Sequence, residues 1–418
     1  MKNPTIAIIG AGQRGKDVYS ELIYNYYPQV KIVAVAEPDD HKRKQMVDKF
    51  KIKPENSFHC FSELLKQPKL CDAVIIATPD DKHFKPAMQA IEKGYHILLE
   101  KPMSNNVFEC VRLSELAKEK NTIFIIGHVL RYTPFFSELK KLIDNKTIGE
   151  LITVQHNENI GYYHFAHSFV RGIWKNSFTS SPLILAKSCH DMDILLWLIG
   201  KDCLSISSFG SLSHFKHSEA PKGAGDRCVS CKIEQMCPYS AKKIYYPNIG
   251  KWPTTVICNE QTEKEIIKAL HTEDYGKCVY KSDNNVVDHQ VSIMKFENNI
   301  TATFNLSAFT TEVNRTIKLM GTHGEIRAHM LKNEIEVSIF GKPKKQIIVP
   351  NQIAGGHGGG DEGLTRDFIA LLMEKPSKAL TSVNKSVQSH IMAFAAEHSR
   401  VTGKTIELAD FYKSIVSD

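Results

Sequence analysis

Short apolar runs alternate with amphipathic stretches through the first third of the chain. Residues 5–9, 31–36, 73–77, 96–99 and 122–126 read as buried strands. The segments between them, roughly 16–25, 40–50, 82–93 and 105–120, carry apolar positions at helical spacing. Strand–helix alternation of this kind predicts a parallel, doubly wound α/β sheet over residues 1–127, a Rossmann arrangement. After Tyr132 the pattern changes. Residues 134–145 read as a helix, 150–157 as a long strand and 183–199 as one helix with a strong apolar face. Residues 286–350 alternate with a period near two, as in Gln290-Val-Ser-Ile-Met-Lys-Phe296 and Thr301-Ala-Thr-Phe-Asn-Leu-Ser307. That period marks antiparallel strands with one buried face, and Glu297-Asn-Asn299 supplies a hairpin turn. Helices over 361–373 and 383–401 close the fold. Residues 128–418 are thus expected to form a second, α+β domain on an open, mainly antiparallel sheet, with a Cys-containing insertion at about 205–285.

The first apolar run leads into Gly10-x-Gly12-x-x-Gly15, with Gln13 and Arg14 inside the motif and a helical stretch after it. Strand, glycines and helix in this order form a dinucleotide fingerprint. Gly10 allows the tight turn, Gly12 lets backbone N–H groups approach a pyrophosphate, and Gly15 lets helix and strand pack closely. The helix N-terminus adds unpaired donors and a partial positive charge. Glu37 ends the second strand roughly 20 residues past the last glycine, where a carboxylate accepts from ribose hydroxyls. A carboxylate there repels a 2′-phosphate, so NAD is expected over NADP. In doubly wound sheets the ligand lies beyond the carboxyl ends of the strands. Thr78-Pro79-Asp80, Glu100-Lys101 and Gly127-His-Val-Leu-Arg131-Tyr132 leave the strands there, and His83 either covers the nicotinamide end or caps its own helix.

Length and composition narrow the class. The chain has 418 residues, enough for two domains, and no apolar run approaches a membrane span. The first strand starts so near Met1 that no signal peptide is expected, which points to the cytoplasm. The net charge of +7 comes from Lys spread along the chain, as in Lys42-Arg43-Lys44. No basic stripe is interleaved with aromatics, so a solvated surface is expected rather than a nucleic-acid site.

With the fingerprint, Glu100-Lys101-Pro102, Gly127-His128-x-x-Arg131-Tyr132 and His190-Asp-x-Asp193 in this order, the chain resembles the glucose–fructose oxidoreductase/inositol dehydrogenase (Gfo/Idh/MocA) family over nearly its whole length. The resemblance implies a nicotinamide enzyme acting on sugars, polyols or their derivatives, and a homodimer or homotetramer. It places a catalytic Lys on Lys101 and a catalytic His on His190. The family's Asp, four residues before that His, falls on Ala186, and Lys187 stands beside it. The chemistry suits these residues. A neutral imidazole is matched to taking a hydroxyl proton near neutral pH, and cations stabilise a developing alkoxide. Lys187 and His190, three apart on the expected helix, share a face. Arg131 and Tyr132 are expected at the substrate.

Residues 355–361 read Gly-Gly-His357-Gly-Gly-Gly-Asp361 before a helix. So many glycines cost folding entropy, which makes sense where backbone approaches a ligand and His357 and Asp361 point at substrate. The segment is similar to a His-Gly-Gly-x-Asp stretch of NAD-dependent α-N-acetylgalactosaminidases, relatives that cleave glycosides by transient oxidation. A redox-neutral glycoside hydrolase or lyase is therefore the alternative to a dehydrogenase.

Seven of the ten cysteines fall between Cys189 and Cys278. Cys228-x2-Cys231-x5-Cys237-Pro238 has metal-ligand spacing, with Cys258, Cys278, His214 or His217 as a fourth ligand. Structural zinc leads the expectations for Cys228, Cys231 and Cys237. An iron–sulfur cluster, packed thiols and a disulfide stay open.

Overall fold

A computed structural model describes residues 3–353 and 356–417. Six strands form the first sheet: β1 (Thr5–Ile9), β2 (Lys31–Ala36), β3 (Ser57–Phe58), β4 (Ala73–Ile76), β5 (His96–Leu99) and β6 (Phe124–Ile126). Their order is 3-2-1-4-5-6 and every pairing is parallel. The order reverses between β1 and β4, so the carboxyl ends of these strands open the crevice where a dinucleotide fits. Both faces of the central strands are covered, and Ile6, Ala7, Val74 and Ile97 are fully buried. That explains the unbroken apolar runs. The two-residue β3 is too short to show any period. The helix expected over 16–25 starts earlier, as a π-helical turn over Gln13–Ser20 continued by an α-helix over Glu21–Tyr26.

The second sheet has nine strands: β7 (Leu151–Asn159), β8 (Cys203–Ser211), β9 (His289–Phe296), β10 (Thr301–Ser307), β11 (Asn314–Gly321), β12 (Gly324–His329), β13 (Glu334–Ile339), β14 (Gln346–Ile348) and β15 (Ile406–Glu407). All neighbours are antiparallel except β7 and β10. The β9–β10 hairpin turns at Asn298 and Asn299, both in the left-handed region that Asn tolerates. Residues 203–211, expected inside the insertion, form β8 of the sheet, so the insertion begins after Ser211.

Two departures shape the site. The helix expected over 183–199 breaks into Leu183–Ala186 and Cys189–Ile199, with Ser188 opening the second piece by accepting from the Asp191 and Met192 amides. The helix Gly360–Leu372 returns to the first sheet, and its Leu364, Phe368 and Ile369 share a core with Ile6, Ile8 and Tyr19. Thus the glycine-rich segment before it is delivered to the fingerprint by a helix the sequence reading had given to the second domain. No helix among the described residues is long and apolar enough to cross a membrane.

Candidate active site

The fingerprint is built as the glycines predict. Gly10 has φ +93°, and a Cβ there would lie 2.6 Å from the Ala77 carbonyl oxygen. A Cβ on Gly15 would lie 2.0 Å from the Gly10 carbonyl oxygen, whereas one on Gly12 would meet nothing within 4 Å. Two glycines are therefore forced by close backbone contact and the third borders open space, the cradle a pyrophosphate needs. Glu37 is buried at the end of β2, and its carboxylate accepts from the Ala11 and Asp39 amides at 2.6 and 3.0 Å. It faces the fingerprint loop, as a ribose-binding acid must. Thr78 lies against Gly10, Pro79 begins the turn that follows it, and Gln13 is exposed at the first helical position. These residues fit an NAD pocket, in which the nicotinamide would carry the hydride.

Arg14 joins three distant parts of the chain. Its guanidinium donates to Glu100 at 2.5 Å, to the Tyr19 hydroxyl at 2.8 Å and to Asp361 at 2.8 Å. Tyr19 also donates to Glu100 at 2.6 Å. Burial works against ionisation of Glu100 and Asp361. For Glu100 the Arg14 charge and the Tyr19 bond outweigh it, and for Asp361 the His357 bond and Arg14 do, so both carboxyls lie below their usual range. His357 Nδ1 lies 3.1 Å from Asp361, and its ring centroid is 6.0 Å from that of His190. The loop is tightly seated, since a Cβ on Gly360 would meet the Val129 carbonyl oxygen at 2.5 Å. Gly355 lies outside the described residues; His357 and Asp361 reach the site together.

Lys101, at the end of β5, donates to the Ala186 carbonyl at 2.8 Å. The position where the resemblance expects Asp thus offers a backbone oxygen to the same lysine. His190 is buried, and its Nδ1 has no hydrogen-bond partner among the described residues. Burial, then the charge of Lys101 and the neighbouring His128 and His357, hold its pKa well below 6.5, so the ring is neutral. Because of the helix break, Lys187 does not share a helix face with His190 but points at β7. Its ammonium is 3.3 Å from Glu158. Burial lowers the Lys187 pKa despite that carboxylate.

Beneath these groups lies a charge network that the sequence reading missed. Arg315 on β11 pairs with Glu158 at 2.8 Å and with Asp191 at 2.8 Å. His156 Nε2 lies 2.7 Å from the same Asp191 oxygen. His156 and Glu158 lie in phase with buried Val154 on β7, and Arg315 in phase with Ile317 on β11. Charged residues at inward positions of alternating strands were the available signal. Two carboxylates facing two cations balance the buried charge, as burial requires.

Four expected site residues are engaged elsewhere. Arg131 makes a two-pronged contact with Asp193, 2.7 Å for each bond, and donates to the Leu380 carbonyl. Tyr132 donates to Asp367 at 2.7 Å. In each case a carboxylate of the second domain takes the donor. Asp80, expected at the cofactor, accepts from Trp174 and Ser181 of the second domain. His83 occupies the N-cap position of its helix but makes no side-chain cap bond. Its ring nitrogens lie 2.6 and 2.8 Å from the Pro102 and Thr78 carbonyl oxygens, tying two strand ends together.

Zinc at Cys228, Cys231 and Cys237 is not supported. Among the described residues no three His, Cys, Asp or Glu side chains are grouped to hold one metal ion, and all ten cysteines are free of disulfides.

Residues 5–128 match the family described as oxidoreductase family, NAD-binding Rossmann fold, and residues 140–408 its C-terminal alpha/beta domain. The protein named "Putative oxidoreductase YteT" of Bacillus subtilis is 24% identical over 332 residues, covering 75% of this chain and 76% of its own. The scyllo-inositol 2-dehydrogenase (NAD(+)) of Bacillus subtilis is 28% identical over 49% of this chain, which spans 57% of that enzyme. Among solved structures, levoglucosan dehydrogenase in complex with NADH and levoglucosan superposes with a TM-score of 0.72 at 16% identity, covering 97% of this chain and 100% of that one. That likeness is one of fold.

Proposed function

The chain belongs to the oxidoreductase family that joins an NAD-binding Rossmann domain to a C-terminal α/β domain, and from that premise we propose that it moves a hydride between nicotinamide and a secondary hydroxyl of a sugar, polyol or sugar derivative. One observation carries the reading: Lys101, held at the strand end by Ala186, acts electrostatically on a buried, neutral His190. His190 takes the hydroxyl proton. Its Nδ1 is sealed in, which leaves Nε2 as the nitrogen open to substrate. Lys101, and Lys187 held by Glu158, supply positive charge beside the oxygen as it loses its proton. His357 faces the substrate from the loop, with Asp361 beside its ring to hold it there. The resident cofactor is NAD, with Glu37 on the adenosine ribose.

A second reading, redox-neutral cleavage of a glycoside, draws on the same loop, since His357 stands beside His190 as a second imidazole. Incubation with NAD and a panel of free sugars, polyols and aryl glycosides separates the two. Reduced nicotinamide accumulating with a free sugar or polyol is the expected result. Aglycone released with NAD required and no net reduction would overturn it in favour of the second reading.

We also propose a homo-oligomer. Phe209 on β8 and Val291 on β9 sit directly opposite each other, and with Ile293 they leave an apolar strip exposed on the outer face of the sheet. Strips of this kind favour association. Sedimentation should give a dimer or tetramer, and Phe209→Glu should shift it toward monomer.

A further inference from the structure

The cysteine-rich insertion is not used by the reaction, yet it is not a scatter of packed thiols. Cys228, Cys231, Cys237 and Cys278 line one small cavity, with Arg171 and Val279 in its wall. The first pair is spaced by the turn Cys228–Ser230, and Cys237 follows the turn Glu234–Met236. Cys278 comes from 41 positions further on, and the fold delivers it specifically. Arg227 and Lys277 form an isolated antiparallel bridge, and the Cys278 amide donates to the Asp226 carbonyl at 2.8 Å. The fourth sulfur missing from the local motif is thus supplied by tertiary structure.

Arg171 is the second, independent observation. Its side chain is almost wholly buried, with 1% exposure. Nε donates to the Lys277 carbonyl at 2.7 Å, and the second amino group donates to the Tyr239 carbonyl at 2.8 Å and to Cys228 Sγ at 3.3 Å. The other amino group, buried, has no hydrogen-bond partner among the described residues. No carboxylate among the described residues is paired with this guanidinium. A buried cation left without an anion is costly, so the wall it faces should carry negative charge. The sulfurs do not converge on a single ion. Zinc draws its sulfurs to about 2.3 Å from one centre. A polynuclear core instead holds its cysteines apart around its own volume, and its charge is tuned by N–H donors to sulfur.

We propose that Cys228, Cys231, Cys237 and Cys278 bind a four-iron, four-sulfide cluster, with Arg171 as its buried countercharge. The cluster serves as a brace. Arg171 ends the π-helical turn Ala166–Arg171, and Trp174, three residues on, donates to Asp80 beside the cofactor crevice at 3.2 Å. Fixing the insertion therefore fixes the wall between the two domains.

The test is composition of the full-length protein purified without oxygen. About four iron and four acid-labile sulfide per chain, with visible charge-transfer absorption, are expected. Cys278→Ala, outside the local motif, should lower bound iron roughly fivefold or more, whereas Cys258→Ala should leave it unchanged, because Cys258 lies off the cavity. Absence of iron and sulfide from the wild-type protein, before and after anaerobic reconstitution with ferrous iron and sulfide, would overturn the proposal. So would one zinc per chain without sulfide, or iron retained equally by Cys278→Ala. The wild-type composition decides the matter even if a cysteine variant fails to fold.

Discussion

Arg14 donates to Asp361 at 2.8 Å across 347 positions of sequence, so the fingerprint helix and the glycine-rich loop are locked to each other. The loop reaches the crevice because the helix that follows it is packed into the first domain's core. Asp361→Asn keeps the shape and removes the charge. Hydrogen bonds to charged groups contribute about 1.5–3 kcal/mol, so kcat/KM should fall roughly tenfold to a hundredfold. Amide exchange over 356–361 should speed up in parallel. Unchanged exchange and unchanged kinetics together would show that the loop does not depend on this ion pair.

Glu37 is the residue proposed to set the cofactor preference. Its carboxylate already accepts from the Ala11 amide of the fingerprint and from the Asp39 amide two residues on, which fixes its direction. Glu37→Ala should weaken NAD binding by about tenfold, the loss of one or two hydrogen bonds to a charged acceptor, and should narrow the margin over NADP. Titration with both cofactors measures this, and an unaltered preference would remove Glu37 from ribose recognition.

In the roles proposed for them, His190 and Lys187 would set opposite limbs of the pH profile. His190 must be neutral to take a proton, and burial with neighbouring Lys101 holds its pKa well below 6.5. Activity should therefore hold as pH falls past 6.5 and decline only further down. Lys187 must be charged, and burial lowers its pKa from 10.5, so activity should decline on the alkaline side before that value. Lys187→Arg should move the alkaline limb upward, because a guanidinium keeps its charge. His190→Ala should lower kcat about a hundredfold or more with NAD affinity intact. A near-normal kcat would exclude the imidazole from the reaction.

What was legible follows from the range of the forces involved. Gly10, Gly15 and Glu37 lie within one βαβ unit, so local spacing reports their geometry, and the two sheets follow from their periods. The break at Lys187 was hidden because apolar positions continue through it from Leu183 to Ile199, and periodicity cannot see a carbonyl turned to a lysine 85 positions away. His156, Glu158 and Arg315 were visible as inward positions on their strands, but a hydrophobic pattern counts them as interruptions. Arg131 was read at its strand end, whereas its partner Asp193 is 62 positions further on.

That last pair separates binding from packing. Arg131 and Asp193 are 4% and 1% exposed, and their two-pronged contact engages Nε and one amino group of the guanidinium. Removing one partner of a buried ion pair leaves an uncompensated charge and costs about 3–5 kcal/mol. Asp193→Ala should therefore lower stability by that order, read from urea unfolding. Arg131→Lys should also destabilise, since an ammonium cannot reproduce the fork. In the fraction that folds, KM should stay near the wild-type value. If Arg131→Lys instead raised KM with stability preserved, the arginine would have to leave Asp193 during turnover, and the substrate-binding role expected from its position would return.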